Sequence, residues 1–232
     1  MGTTIYHALS RGVDKRKIFM DDEDYLRFIH DLFEFNDQEP ALNIGYLFKN
    51  QKNQSIDLRS QYIGKGKKRK FLVNILAFCL MPNHYHLLIK PVVENGITQF
   101  IKKLNIGYAK YFNNKYERKG TLFEGRYKSI PITDQSHFIH IPYYIHLNPL
   151  DLIMPEWRKR EIGDYKKAMK FLENYRWSSF LDYIGKKNFP SVTQREFLNE
   201  FFEGPEQYKK DTLKWLKEID LGNEEIKKLI LE

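Results

Sequence analysis

The stretch MPNHYHLLI, residues 81 to 89, decides the fold prediction for this chain. Its Pro-Asn dipeptide is a turn signal between two apolar runs, so we predict two neighbouring strands joined here. Side chains alternate between the two faces of a strand, so His84 and His86 share one face and Tyr85 lies on the other. Two adjacent imidazoles are half of a divalent metal site. The same pattern also fits one buried core histidine beside an exposed one.

The segments on either side of this strand pair predict a strand, helix, strand, strand, helix, strand order. The segments are a strand at 3–10, a helix capped by Asp21 or Asp22, a strand at 71–80, the histidine strand from His84, a helix at 97–117 and extended chain at 121–132. This order is typical of the α+β ferredoxin-like, split βαβ fold with an antiparallel sheet. In that fold we expect helices on one face of the sheet and a free face for a ligand.

The remaining segments divide the chain into one domain and an appendage. A short helix at 135–148 and the segment 175–185 complete a domain that we place at residues 1–185. Within it, residues 43–70 form a long basic excursion. Residues 186–232 have an amphipathic pattern and are predicted to be a helical C-terminal appendage.

The composition narrows the class of protein and its partners. Lys and Arg number 38 against 30 Asp and Glu, and the resulting net charge of +8 favours a polyanionic partner. Cys79 is the only cysteine, which excludes an intrachain disulfide and predicts a reducing cytoplasm. No apolar run reaches the ~18 residues of a membrane span, so we expect a soluble cytoplasmic protein with no membrane partner.

A second motif could complete the histidine site. Tyr144 and Asn148 are four residues apart in YIHLNP, and this spacing places them on one face of a helix. A phenol near a divalent cation and a phosphate is a plausible nucleophile, and two imidazoles with an amide oxygen suit Mg²⁺ or Mn²⁺. The alternative is that Tyr144 is a packing residue and Asn148 a helix C-cap before Pro149.

Basic residues in two places could bind phosphates. The densest cluster includes Lys67, Lys68, Arg69 and Lys70, and Arg126 and Lys128 lie on the predicted last strand. Lys and Arg contacts to phosphates supply an affinity that falls with salt. The cluster could equally be a solvated loop.

Five motifs in this order resemble the Y1 transposases, which are HUH endonucleases. The resemblance is narrowest to the IS200-like transposases and the REP-associated tyrosine transposase branch. The motifs are YHALSRG at 6–12, MPNHYHLLI at 81–89, GTLFEGRYKS at 120–129, YIHLNP at 144–149 and YRWSSF at 175–180. They cover about residues 3–185.

The resemblance implies roles for individual residues. His84 and His86 match the HUH pair, Tyr144 matches the nucleophile, and Asn148 matches the polar position that completes the metal shell. Arg11 matches a family position near the N-terminus. Pro142 departs from a regular helix two residues before the tyrosine.

The implied activity is that of a metal-dependent endonuclease and strand transferase acting on single-stranded DNA. It would proceed through a 5′-phosphotyrosine and a free 3′-OH, on hairpin-forming repeat or mobile-element DNA. A non-catalytic nucleic-acid-binding module with the same fold is an alternative, and so is a relaxase or replication-initiator nickase. The sequence leaves a homodimer open.

Overall fold

The predicted histidine strand lies at the centre of a four-stranded antiparallel sheet with the order β2-β3-β1-β4. The strands are β1 (Ile5–Arg11), β2 (Val73–Met81), β3 (His84–Pro91) and β4 (Lys128–Ile132). The computed structural model describes residues 4–40, 69–133, 135–159, 161–199 and 201–218. Helices follow β1 and β3, so the ferredoxin-like order is confirmed.

Seven α-helices lie in the described part of the chain. They are α1 (Asp22–Glu34), α2 (Gly96–Lys115), α3 (Gln135–Leu147), α4 (Tyr165–Leu172), α5 (Phe180–Tyr183), α6 (Glu196–Asn199) and α7 (Pro205–Glu218). Short 3₁₀ turns occupy Val13–Lys15, Asn148–Leu152 and Pro155–Lys159. Across the described residues, none of the helices combines the length and apolarity needed to cross a bilayer.

Local sequence signals explain some of the element boundaries. Asp21 is the N-cap of α1, and its carboxylate accepts a hydrogen bond from the backbone N–H of Asp24. The last strand is shorter than predicted and begins at Lys128. Gly125 interrupts the extended chain because its φ is +55°, in the left-handed region.

Helices cover both faces of the sheet, so the prediction of a free ligand face was wrong. The apolar side chains of α1 and α2 pack on the face that carries Tyr85 and Leu87. Helix α3 packs on the opposite face, which carries Leu88. A long apolar run such as β2 is consistent with burial on both sides, but periodicity does not identify the covering helix.

The chain after residue 175 covers the outer edge of β2. The backbone of Leu80 donates to the carbonyl of Trp177, and the backbone of Ser179 donates to Phe78. Further along, the backbone N–H of Gln194 donates to the carbonyl of Ile75. These bonds satisfy polar groups that an exposed edge strand would otherwise offer to another chain.

The described part of the C-terminal segment contains the helices α6 and α7 and shares a core with α3. Tyr143 stacks on Tyr208 of α7, with ring centroids 4.9 Å apart. The buried Nδ1 of His146 lies 2.6 Å from the Tyr208 hydroxyl, and its Nε2 lies 2.7 Å from the Ser179 hydroxyl. These contacts argue against a detached appendage, and the boundary at residue 185 stays a prediction.

Truncation after Gly185 tests that boundary. We expect the shortened chain to aggregate or to unfold at a lower temperature, because it would expose Tyr143 and leave His146 without its Tyr208 partner. The full-length variant Tyr208→Phe should reduce the free energy of unfolding by about 1–3 kcal/mol, the cost of one unsatisfied buried polar group. Tyr165→Phe, at a half-buried position, is the control. A soluble 1–185 chain with unchanged stability would support a separate appendage.

Candidate active site

Two histidines of β3 face α3 from the centre of the sheet. His84 and His86 lie on the same face with ring centroids 4.9 Å apart, as the period-two pattern predicts. Tyr85 points to the other face, where its hydroxyl donates to the side chain of Asn105 on α2. On the neighbouring strand, Arg11 is paired with His84. The site therefore begins as two imidazoles beside a guanidinium.

A third histidine, which the sequence analysis did not assign to the site, holds His86. The Nε2 atom of His7 on β1 lies 2.9 Å from Nδ1 of His86, and both side chains are fully buried. Nε2 of His86 is also buried and has no hydrogen-bond partner in the described structure. If His86 donates from Nδ1 to His7, its Nε2 carries a free lone pair, which is the usual arrangement of a metal-binding histidine.

Burial keeps the paired imidazoles neutral. It lowers the pKa of His84 to about 4, and the positive charge of Arg11 contributes to the shift. Burial also lowers the pKa of His86 well below 6.5, with a smaller effect from His84. A neutral imidazole is the form that binds a metal ion.

Tyr144 of α3 contacts the histidine cluster. Its ring centroid lies 6.0 Å from that of His86 and 5.9 Å from that of His7, in edge contacts. Helix α3 continues through Pro142, so the tyrosine remains on a helix despite the proline. The structure therefore brings together the predicted nucleophile and the predicted metal pair.

Asn148 is close to Tyr144, but both ends of its amide are engaged. It lies in the 3₁₀ turn that follows α3, where Nδ2 donates to the Tyr144 carbonyl at 2.8 Å. Its Oδ1 accepts a hydrogen bond from Arg158 at 3.1 Å. This is the C-cap geometry of the alternative interpretation. An amide oxygen has a second lone pair, so a role as metal ligand stays a proposal.

Arg158, a second residue absent from the sequence prediction, joins these groups. Its guanidinium donates to the Tyr144 hydroxyl at 3.3 Å and forms an ion pair with Asp151 at 2.6 Å. No spacing rule connects positions 144 and 158, because the chain between them turns twice through 3₁₀ segments. The only signal available from the sequence was its basic charge.

Other tyrosines of the helices lie away from the histidine pair. On the far face of the sheet, Tyr108 donates from its hydroxyl to the Ile18 carbonyl, and the Tyr111 hydroxyl donates to Asp24. Tyr143 packs against α7. These contacts give the three tyrosines structural roles in the fold.

The predicted DNA-binding residues occupy different environments. Lys67 and Lys68 lie outside the described residues. Arg126 and Lys128 are exposed at or near β4, an edge strand, and Lys70 is 66% exposed and lies 3.8 Å from Glu39.

The contacts of Arg69 with the rest of the fold argue against the prediction that it binds DNA. Its side chain donates to the carbonyls of Phe33 and Asn36 and pairs with Asp37 at 3.5 Å. Its guanidinium also lies over the Phe33 ring. The sequence showed only a run of basic residues, whereas the fold turns this one inward to hold the end of α1.

The histidine pair fits a metal ion in part. Within the described ranges, no group of three His, Cys, Asp or Glu side chains could hold a metal ion. The buried, unpartnered Nε2 of His86 is nevertheless a vacant nitrogen donor, and His84 is adjacent to it. The two imidazoles could therefore supply two nitrogen ligands, and a third ligand would have to be an amide oxygen, water or the substrate.

Comparison with known proteins gives one family match and one similar solved structure. The family model described as "Transposase IS200 like" matches residues 47–148, which include both strand histidines and Tyr144. This match agrees with the resemblance that the sequence motifs indicate. No curated protein matches the chain. One similar solved structure is described as "Structure of the REP associates tyrosine transposase bound to a REP hairpin"; it covers 83% of this chain and 86% of its own, with 11% identity and a TM-score of 0.45.

The lowered histidine pKa values predict a loss of stability in acid. The unfolded chain takes up protons near the ordinary pKa of 6.5, whereas folded His84 does so only near 4 and folded His146 near 3. The folded state therefore binds fewer protons, and its stability falls as the pH drops from about 7 to about 4. For the fully buried His146 alone, the loss at about pH 5 should be about 2 kcal/mol.

Urea unfolding at about pH 7 and pH 5 measures this loss of stability. ¹⁵N NMR of the imidazoles shows which histidine is responsible for it. The His84 ring should remain neutral at about pH 6. Titration of that ring near its ordinary pKa would contradict the buried, neutral site.

Proposed function

We propose that the protein is a metal-dependent endonuclease and strand transferase that acts on single-stranded DNA, with Tyr144 as its nucleophile. One observation carries this proposal: the Tyr144 ring contacts His86, and the buried Nε2 of His86 lacks a hydrogen-bond partner in the described residues. A phenol beside a vacant nitrogen ligand is suited to attack on a phosphodiester. The family match supports the transposase class.

In the proposed reaction, the Tyr144 oxygen attacks the scissile phosphorus. The bond from phosphorus to the 3′ oxygen breaks, and the phenolic proton passes in net terms to that leaving oxygen. The products are a 5′-phosphotyrosine and a free 3′-OH. Attack by another 3′-OH on the phosphotyrosine reverses the step, regenerates the phenol and joins a new pair of strand ends.

We propose His84 and His86 as the nitrogen ligands of a divalent cation, Mg²⁺ or Mn²⁺, with Asn148 as a third ligand. When bound, such an ion neutralises charge on the phosphate and polarises it. His7 would hold the His86 ring in the tautomer that leaves Nε2 available. The nearby charges of Arg11 and Arg158 repel a cation, so we expect weak metal binding until a phosphate is present.

The basic residues around the site would bind the DNA strand. Arg11 would donate to a phosphate near the scissile bond. In support, Arg11 lies opposite His84, and its buried Nε has no hydrogen-bond partner among the described residues. Arg126 and Lys128 would extend this contact along the β4 edge. Hairpin-forming repeat or mobile-element DNA is the substrate that we propose.

Replacement of the nucleophile tests the central claim. Tyr144→Phe removes one oxygen and almost no volume, so folding and DNA affinity should hardly change, while cleavage and the covalent adduct should both disappear. Tyr143→Phe is the matched control, because this neighbouring buried ring packs on α7. The assay is an SDS-resistant adduct on labelled single-stranded DNA with Mn²⁺, followed by peptide mapping.

The mapping also separates the candidate functions. An adduct on Tyr108 or Tyr111 would refute the assignment of Tyr144. If the wild-type protein bound single-stranded DNA but formed no adduct with any metal, the non-catalytic binding module would be the better interpretation.

Loss of a strand histidine tests the metal site. His86→Ala or His84→Ala should abolish cleavage and metal binding, and EDTA should stop the wild-type reaction. Calorimetric titration with Mn²⁺ should give a smaller dissociation constant for the metal in the presence of uncleavable DNA than in its absence. Cleavage that continues undiminished in EDTA would contradict the metal assignment.

Charge removal tests the DNA-binding residues. In the triple variant Lys70→Gln, Arg126→Gln and Lys128→Gln, affinity for all single strands should fall. The slope of log K against log salt should become shallower by roughly 0.7 per lost phosphate contact.

The matched control removes three exposed lysines of α4, namely Lys166, Lys167 and Lys170. Equal slopes in the two variants would show that net charge, rather than a DNA contact, is responsible. Arg69→Gln should instead lower stability, because this side chain is bonded inside the fold.

A further inference from the structure

The Arg158 side chain forms hydrogen bonds with both Tyr144 and Asn148. We infer that Arg158 is a positioning residue that sets the orientation of the Tyr144 hydroxyl and stabilises the negative charge that this oxygen acquires as it attacks. This inference rests on the proposed function. The family match ends at residue 148, so it assigns no role to Arg158.

The hydrogen bonds of the Arg158 guanidinium connect it to both Tyr144 and Asn148. One terminal nitrogen donates to the Tyr144 hydroxyl at 3.3 Å, and the other donates to Oδ1 of Asn148 at 3.1 Å. The guanidinium carbon lies 5.6 Å from the centroid of the Tyr144 ring. The phenol can therefore move little without losing a contact to Arg158.

Asp151 keeps this guanidinium in place from the opposite side. Its carboxylate accepts from Nε of Arg158 at 2.8 Å and from a terminal nitrogen at 2.6 Å, in a two-point contact. The same carboxylate accepts from the indole N–H of Trp157 at 2.6 Å, and the Trp157 ring lies 4.9 Å from the guanidinium carbon. A planar guanidinium that is bonded at two points is pre-organised, so it loses little entropy when it bonds to a third group.

The electrostatic effect of this arrangement favours the attacking oxygen. The Arg158 side chain is only 23% exposed, so water screens its charge incompletely. A fixed cation beside an oxygen that becomes negative lowers the barrier, because the donor is already oriented when charge develops. Lysine cannot reproduce the effect fully, since a single ammonium cannot bond Asp151 at two points and also reach both Tyr144 and Asn148.

Substitution of Arg158 tests the inference through the rate of adduct formation at saturating DNA. Arg158→Gln should reduce the single-turnover rate roughly 10²-fold. Arg158→Lys should recover part of the lost rate. Asp151→Asn should lower the rate by an intermediate amount, because the Arg158 guanidinium is then held less firmly. The dissociation constant for DNA should change much less than the rate.

A matched control and a rescue separate positioning from a structural role. Arg27 is also paired with an aspartate, Asp31, and lies over a tyrosine ring, but it is on the far face of the sheet, so Arg27→Lys should leave the rate unchanged. Free guanidinium at millimolar concentration should restore part of the rate of Arg158→Ala. Such rescue is not expected for a variant that is merely misfolded.

The outcomes also distinguish the inference from the function on which it rests. If the wild-type protein forms no adduct, the proposed function fails. If the wild-type protein forms the adduct and folded Arg158→Gln does so within about twofold of the same rate, the inference alone is overturned. If Arg158→Gln does not fold, folded Arg158→Lys and Asp151→Asn decide in its place, and full activity of both would likewise overturn it.

Discussion

The packing of α3 across the histidine face of the sheet is the constraint on which the rest of the structure depends. Tyr144 reaches His7 and His86 because this helix packs on β2 and β3. The same packing buries the imidazoles, removes water from them and holds them in their neutral form. Position and chemistry of the candidate site therefore have one physical cause, which is the burial of apolar surface between α3 and the sheet.

Burial of the polar groups near the site is offset in part by the partners that they find. His7 holds His86, and His146 is bonded at both nitrogens by Tyr208 and Ser179. The unpartnered Nε2 of His86 is an exception at the centre of the proposed site. An unsatisfied buried polar atom costs free energy, and such costs are tolerated most often at functional positions.

The C-terminal part of the chain supports this arrangement from outside. Residues 177–194 satisfy the edge of β2, and α7 packs on the side of α3 that faces away from the sheet. A short helix such as α3, which contains a proline, gains little stability from its own hydrogen bonds. Contacts on both of its sides therefore hold Tyr144 in place.

The amino-acid sequence by itself determined the local features of this protein. The period of two along β3 placed His84 and His86 on one face and Tyr85 on the other, because a strand alternates its side chains by geometry alone. The element order predicted the ferredoxin-like sheet, and the tyrosine was assigned through the family resemblance.

Only the tertiary structure decided which distant residues meet. It brought His7 to His86, joined Arg158 to Tyr144, turned Arg69 inward and covered the face that had been predicted to be free. Side-chain periodicity describes directions within one element. Contacts between elements depend on how whole apolar surfaces pack, and that information is distributed over the entire chain.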